Sequence, residues 1–452
     1  MDTNHTESGV ACGADAQKTA LGDVHWTNLK NFLIKGVVGS FSLKIGGSAL
    51  GLANSVLLAR MLGPDQYGIL AHTFSLIALW GIPIVLGLQD YLPREVAKYK
   101  VQKEWGLLKG LLKRASQSVF TTSLVAILIC FAVTWGFWDE SPRIGILWLA
   151  SPLLCLHAFN KVRQAVLRGF RNVVLAQIPE HFIRPGLLFA TLLCLWKLDA
   201  TFLNVKHAVG LEITATAFAF VFGSIFLIRI VPTPMKKARP AYCSRLWLRQ
   251  TMPFMFLGSV FFLNSQLDII VLGIFRPTAE IGAYKVAIQA VQIVVFILYA
   301  VNMVTAPIIT ELYHQKEMRR LQRVITASTR TVMAVSIPII LTLMFFGDRL
   351  IEFGFGKQYI AAATPLAILC SGQLFNSGCG SVGMILNMTN NERDSLTGAG
   401  LAALLNVTLN LILIPHYGLT GAGIATATSM VFWNVLLSYY VYKRLGIKSH
   451  CL

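Results

Sequence analysis

The sequence predicts an all-α polytopic membrane protein with about twelve transmembrane helices, arranged as two six-helix lobes around a central cavity. Three observations carry that expectation. Charged residues make up 13% of the 452-residue chain and hydrophobic residues 55%, against roughly 25% charged in a soluble domain. The apolar residues fall into successive runs, each about the 20 residues that a bilayer-spanning helix needs. The two halves of the chain share a spacing pattern offset by 213 or 214 residues. A mean hydropathy of +0.62 excludes a disordered chain, a nucleic-acid-binding domain and an ordinary cytosolic enzyme.

In chain order, residues 1–30 read as a polar cytoplasmic tail. They lack a basic stretch running directly into an apolar core, so they do not read as a cleaved signal peptide. Spans are expected near 36–60, 68–90, 117–138, 145–166, 181–198 and 208–230, which form an N-terminal lobe over 31–232. A basic cytoplasmic linker, 233–250, follows. Spans near 251–275, 283–307, 328–347, 359–387, 397–415 and 420–442 form a C-terminal lobe over 251–445, and 446–452 is a cytoplasmic C-terminus. The fourth and fifth spans are the weakest, because His157, Lys161, His181 and Arg184 interrupt them.

The formal charge is +18, from 39 Lys+Arg against 21 Asp+Glu. With the N-terminus inside, 29 of the 39 basic residues fall in cytoplasmic segments and 8 outside, leaving Lys44 and Arg184 within the membrane. This bias puts both termini in the cytoplasm and explains the basic pI without nucleic acid. The eight cysteines are scattered and form no CxxC pair. They give neither a disulfide framework nor a metal site.

The repeat is weak in letters and constant in spacing. Asn54 to Pro64, followed by Tyr67 and Gly68, corresponds to Asp268 to Pro277, followed by Gly282 and Tyr284. Pro93 at the end of the second span corresponds to Pro307 at the end of the eighth. Six spans per half give both halves the same orientation, an arrangement typical of transporters with a cavity between lobes.

Several stretches also resemble a known family. They are Leu58-Ala59-Arg60-Met61-Leu62-Gly63-Pro64-Asp65-Gln66-Tyr67-Gly68, Pro93-Arg94-Glu95-Val96-Ala97, Val166-Leu167-Arg168-Gly169-Phe170-Arg171, and Leu413-Ile414-Pro415-His416-Tyr417-Gly418-Leu419-Thr420-Gly421-Ala422-Gly423-Ile424-Ala425. In order and spacing the chain resembles the polysaccharide and O-antigen flippases of the multidrug/oligosaccharidyl-lipid/polysaccharide exporter superfamily. The resemblance implies a two-lobed fold like that of the multidrug exporters of that superfamily. It implies flipping of an undecaprenyl-pyrophosphate-linked oligosaccharide to the outer leaflet of a bacterial inner membrane, for O-antigen, capsule or exopolysaccharide synthesis. A polysaccharide polymerase and a chain-length regulator are its candidate partners, beside the substrate and membrane lipids. No catalytic residue, cofactor or nucleic acid is expected.

Candidate site residues come from the cost of polar groups in lipid, about 2.5–3.5 kcal/mol per charge on insertion scales. His157, Lys161, Gln164 and Arg168 share one face of the fourth span, and Arg184 enters the fifth, so together they read as a cationic groove for a pyrophosphate. Snorkelling to headgroups is the plainer reading for Lys161 and Arg168. Lys44 lies deep in the first span beside Gly46, Gly47 and Gly51. Asn54 and Asp268 are equivalent under the repeat and are expected across the cavity from one another. Asp268 reads as a coupling-ion carboxylate, or as a structural partner of a cation such as Lys285. Lys285, Gln289 and Gln292 form a polar stripe in the eighth span, and Gln373 and Asn376 are sugar-contact candidates in the tenth. Asn406 and Asn410 read as interhelical hydrogen-bonders, and Asp90 and Arg94 as a local pair. A multidrug exporter would want an acidic cavity, and only Asp268 and Glu212 offer acid. A lipid II or teichoic-type flippase remains close in chemistry. A membrane-embedded glycan polymerase or ligase would want a long charged outer loop, which the sequence lacks.

Overall fold

The computed structural model describes residues 8–135, 142–198 and 203–449, with side chains from residue 39 onward except 142, 257, 261 and 263. The expected tail, 1–30, therefore lies outside the described side chains, and its first seven residues lie outside the described chain. Residues 450–452 of the expected C-terminus do so as well.

The described chain is helical throughout. Its elements are α1 (Ser8–Val85), α2 (Leu88–Gln102), α3 (Trp105–Thr134), α4 (Pro142–Ala150), α5 (Pro152–Gly169), α6 (Val173–Ile178), α7 (Arg184–Lys197) and α8 (Val205–Ile230). There follow α9 (Thr233–Lys237), α10 (Ser244–Phe275), α11 (Thr278–His314), α12 (Met318–Phe345), α13 (Gly347–Gly354), α14 (Ala363–Cys379), α15 (Val382–Met388) and α16 (Glu392–Leu445). Among the described residues nine helices are long and apolar enough to cross a membrane, or ten if the bent pair Ser244–Val260 and Asn264–Phe275 is one span.

Two of those helices are each two spans joined at a glycine. α1 breaks at Gly63, with φ 75°, and α16 breaks at Gly418, with φ 57°. Only glycine enters that region without steric cost. Counting each break as a boundary is consistent with the twelve expected spans.

The fourth and fifth spans are helical further than their polar residues predict. α5 continues to Gly169 and α6 starts at Val173, so the connection expected between the spans, 167–180, shrinks to three residues, 170–172. The polar side chains did not end the helices because they face an internal cavity rather than lipid. Between α6 and α7 a π-helical segment, Pro179–Ile183, widens the helix by one residue. Such bulges often mark functional positions. The expected Asp90–Arg94 pair is not formed. Arg94 lies over the Phe254 ring at 5.9 Å, and Lys98 pairs with Glu95 at 3.6 Å.

The halves meet chiefly through α1 against α11 and α10. A β-carbon built on Gly68 would collide with the Thr278 carbonyl, and one built on Gly282 with the Pro64 carbonyl. Gly68 and Gly282 are 214 residues apart, as are Pro64 and Thr278. The repeat is thus visible as a reciprocal, backbone-to-backbone crossing. Around it, Thr278 donates to Asp65 at 2.7 Å, the Tyr359 hydroxyl donates to the Ala59 carbonyl at 2.8 Å, and Arg60 Nε donates to the Gly354 carbonyl at 2.7 Å. These bonds close the face opposite the basic one. On the basic side the Tyr91 hydroxyl donates to Gln250 at 2.6 Å, joining α2 to α10.

Gly282→Val inserts a branched side chain into the crossing and lowers stability by roughly 1–3 kcal/mol or more. Gly400→Ala, at a helical site with open space around it, is neutral or slightly stabilising. Thermal unfolding of the two variants in detergent separates these outcomes.

Candidate functional site

Below the crossing lies a chamber of about 350 Å³, walled by α1, the π segment, α7, α8 and α11. A second cavity of about 270 Å³ adjoins it between α1, α5 and α8. Phe74, Arg184 and Glu212 line both, so this trio stands at the junction.

Arg184 is the hub of the junction. Its Nε donates to Glu212 Oε1 at 2.7 Å, and its Nη2 donates to the same oxygen. Its Nη1 lies 3.5 Å from Glu180 Oε2, one helical turn earlier across the π segment. Glu180 also faces Arg163 Nη2 at 3.9 Å, and Arg163 Nη1 donates to the Ala219 and Phe220 carbonyls at 2.9 Å each. Two guanidinium groups and two carboxylates therefore neutralise one another inside the helical bundle, and 29% of the Arg184 side chain stays reachable from the chamber.

Two lysines are different. Lys161 lines the second cavity with His157, and Lys285 lines the main chamber with Gln289 and Asn54. Among the described residues neither lysine has an ion-pair partner. The chamber's positive character rests on them and not on Arg184. Asn54 is anchored by donating to the Pro185 carbonyl at 2.9 Å, while its Oδ1 is buried without a partner.

The remaining expected site residues lie elsewhere. Lys44 is exposed on α1, within electrostatic reach of His181, and one turn later Gly47 packs on the His181 backbone. Arg168 donates to the Gln89 carbonyl at 3.0 Å, because α2 covers the part of the α5 face below Lys161. Gln292 is exposed and lies outside the chamber lining. Gln373 accepts from Asn376, which accepts from Asn434, both at 3.0 Å, so these side chains tie α14 to α16.

Asp268 does not face Asn54 across the chamber. It is buried within the second half, accepting from Asn410 at 2.7 Å, Tyr284 at 2.8 Å and Thr426 at 2.5 Å. Each of these partners is a neutral donor, and Lys285 is not one of them. The repeat is nonetheless obeyed: Asn54 binds α7, and Asp268 binds the first span of α16.

Sequence reasoning missed Glu180 and Arg163 and weighed Glu212 only as an acid. A signal was present. A lone carboxylate in an apolar span needs a cation, and Glu180 and Arg184 stand at i, i+4.

These features define a multi-pass, all-helical membrane protein with an internally neutralised ion cluster between two cavities. The family described as polysaccharide biosynthesis protein matches residues 57–364, and the chain belongs to that family. It is similar to a probable low-salt glycan biosynthesis flippase, Agl15, of Haloferax volcanii, at 25% identity over 397 residues, 85% of this chain and 78% of that protein. Its fold is similar to that of an inward-facing multidrug-resistance transporter of the MOP superfamily, with TM-score 0.70, 13% identity and coverage of 91% and 98% of the two chains. The lipid II flippase MurJ in an inward closed conformation also has TM-score 0.70, with 15% identity and coverage of 89% and 87%.

Arg184→Met strands Glu212 and costs on the order of 2–3 kcal/mol, below the figure for a fully buried pair because the chamber admits water. Arg184→Met combined with Glu212→Met recovers part of that loss. A double-mutant cycle of thermal unfolding measures the coupling.

Proposed function

We propose that the chain flips a lipid-linked oligosaccharide across a bacterial inner membrane, from a basic cytoplasmic side to the outer leaflet, by alternating access between its two halves. Both termini then lie in the cytoplasm, and the carrier expected from the resemblance is undecaprenyl pyrophosphate. One observation carries the reading: two lysines that form no ion pair among the described residues, Lys161 and Lys285, line adjoining cavities inside the helical bundle. Hydrocarbon cannot solvate a phosphate, so a chamber with fixed cations supplies what the bilayer lacks. The family and the glycan flippase among the relatives support it.

In this mechanism the anionic headgroup enters beside Lys161 and competes with Glu212 for Arg184. Asn54, Gln289 and Lys285 receive it on the far side of the junction, and the prenyl tail stays in lipid. Release requires the Asp65–Thr278 and Arg60–Gly354 bonds at the crossing to break. We further propose Asp268 as the coupling site. Its carboxylate has only neutral donors around it, so a proton or small cation completes its environment.

The second reading is a cationic-drug exporter, which would use Glu180 and Glu212. Both carboxylates are already engaged by arginine, which favours the anionic substrate.

Deletion with complementation tests the reading. Loss of surface glycan with lipid-linked units accumulating inside supports it, and unchanged glycan with altered dye efflux overturns it. The pair Lys161→Ala and Lys285→Ala lowers transport by roughly tenfold or more at normal expression, as expected if each contributes about 1 kcal/mol. Asp268→Asn inserts normally and transports without dependence on the ion gradient.

A further inference from the structure

A third cavity, on the basic side, lies outside the chamber. It occupies about 300 Å³ between α2 and α3 of the first half and α10 of the second. Leu86, Leu88, Leu111 and Trp247 form its apolar wall, and Arg114 stands at its edge. We propose that this groove binds one anionic phospholipid, headgroup at Arg114 and an acyl chain along the seam between the halves. The proposal is independent of the flippase reading.

The linker builds the groove. Lys109 donates to the Lys236 and Ala238 carbonyls at 2.6 and 2.9 Å, and the Ala241 amide donates to the Gly106 carbonyl at 2.9 Å. β-Carbons on Gly106 and Gly110 would strike the linker backbone at Arg239 and Ala241. This strap brings Tyr242 over Arg114, at 5.1 Å, and sets Trp247 against α3. The Trp247 indole donates to the Tyr99 hydroxyl at 3.1 Å, which fixes the wall.

Charge and exposure select the occupant. Among the described residues Arg114 meets the Gln117 amide oxygen at 3.4 Å and the Tyr242 ring, neither of which neutralises it. No carboxylate lines the cavity among the described residues. The flanking segments 103–116 and 229–250 carry ten Lys+Arg and one Glu. Basic pockets between helices at the membrane edge favour anionic headgroups. Further along the two helices that wall the cavity, Phe120, Leu124 and Leu128 on α3 and Leu248, Met252 and Phe256 on α10 are exposed, and Leu248 also lines the cavity. An acyl chain fits between them, whereas a soluble anion would leave that surface unused.

The test is native mass spectrometry of the purified full chain, stripped of lipid and titrated with phosphatidylglycerol or phosphatidylcholine. One phosphatidylglycerol adduct, bound at least fivefold more tightly than phosphatidylcholine, is expected. Arg114→Gln, at an exposed position, weakens it about fivefold, the worth of one interfacial cation. Ser118→Trp, which fills the groove, removes it, while Arg349→Gln, an exposed arginine outside the groove, leaves it unchanged. Equal affinity for the two lipids, or an adduct indifferent to both groove variants, overturns the proposal. So does one-for-one displacement by undecaprenyl phosphate, because the groove would then belong to the carrier.

Discussion

The two halves hold together because two glycines, Gly68 and Gly282, let backbone touch backbone where α1 crosses α11. Any side chain there would push the halves apart. The crossing brings Thr278 within bonding distance of Asp65, and it is accompanied by the bonds from Tyr359 to Ala59 and from Arg60 to Gly354. Together these seal one face and leave the chamber beneath it. The stretch from Arg60 to Gly68 is therefore a closure element: Arg60 and Asp65 bond across to the second half, while Tyr67 bonds Ser55 and lines the top of the chamber.

The inability of hydrocarbon to solvate charge organises what lies below. Every intramembrane charge must find a counter-charge, a set of hydrogen bonds or water. Arg163, Glu180, Arg184 and Glu212 satisfy one another, a costly arrangement to desolvate that tertiary geometry makes tolerable. Asp268 is satisfied differently, by three neutral donors. Lys161 and Lys285 form no ion pair among the described residues and line the cavities instead.

The halves share a topology but not a chemistry. At the position where Asn54 ties the first span to α7, Asp268 ties the seventh to both spans of α16, through Asn410 and Thr426. Where the first half then places an arginine–carboxylate pair between α7 and α8, the second places Asn406 against Ser429 within α16. The first half thus brings an arginine–carboxylate cluster to the chamber, the second half contributes Lys285 there, and the second half keeps its buried carboxylate, Asp268, among neutral donors.

The sequence by itself determined the membrane class, the approximate span positions and the repeat, because hydropathy and spacing are local or one-dimensional signals. It also marked Arg184, Asp268, Lys161 and Lys285, since a charge in an apolar run is conspicuous wherever it lies. Only the tertiary structure decided which of them are free. Arg168 and Lys161 share one helical face, yet α2 covers the first and leaves the second open. Arg184 looked like an unpaired cation until α8 brought Glu212 to it from 28 residues away. Pairing depends on what packs opposite a side chain, and that partner is set by the crossing of distant helices rather than by any neighbour in the chain.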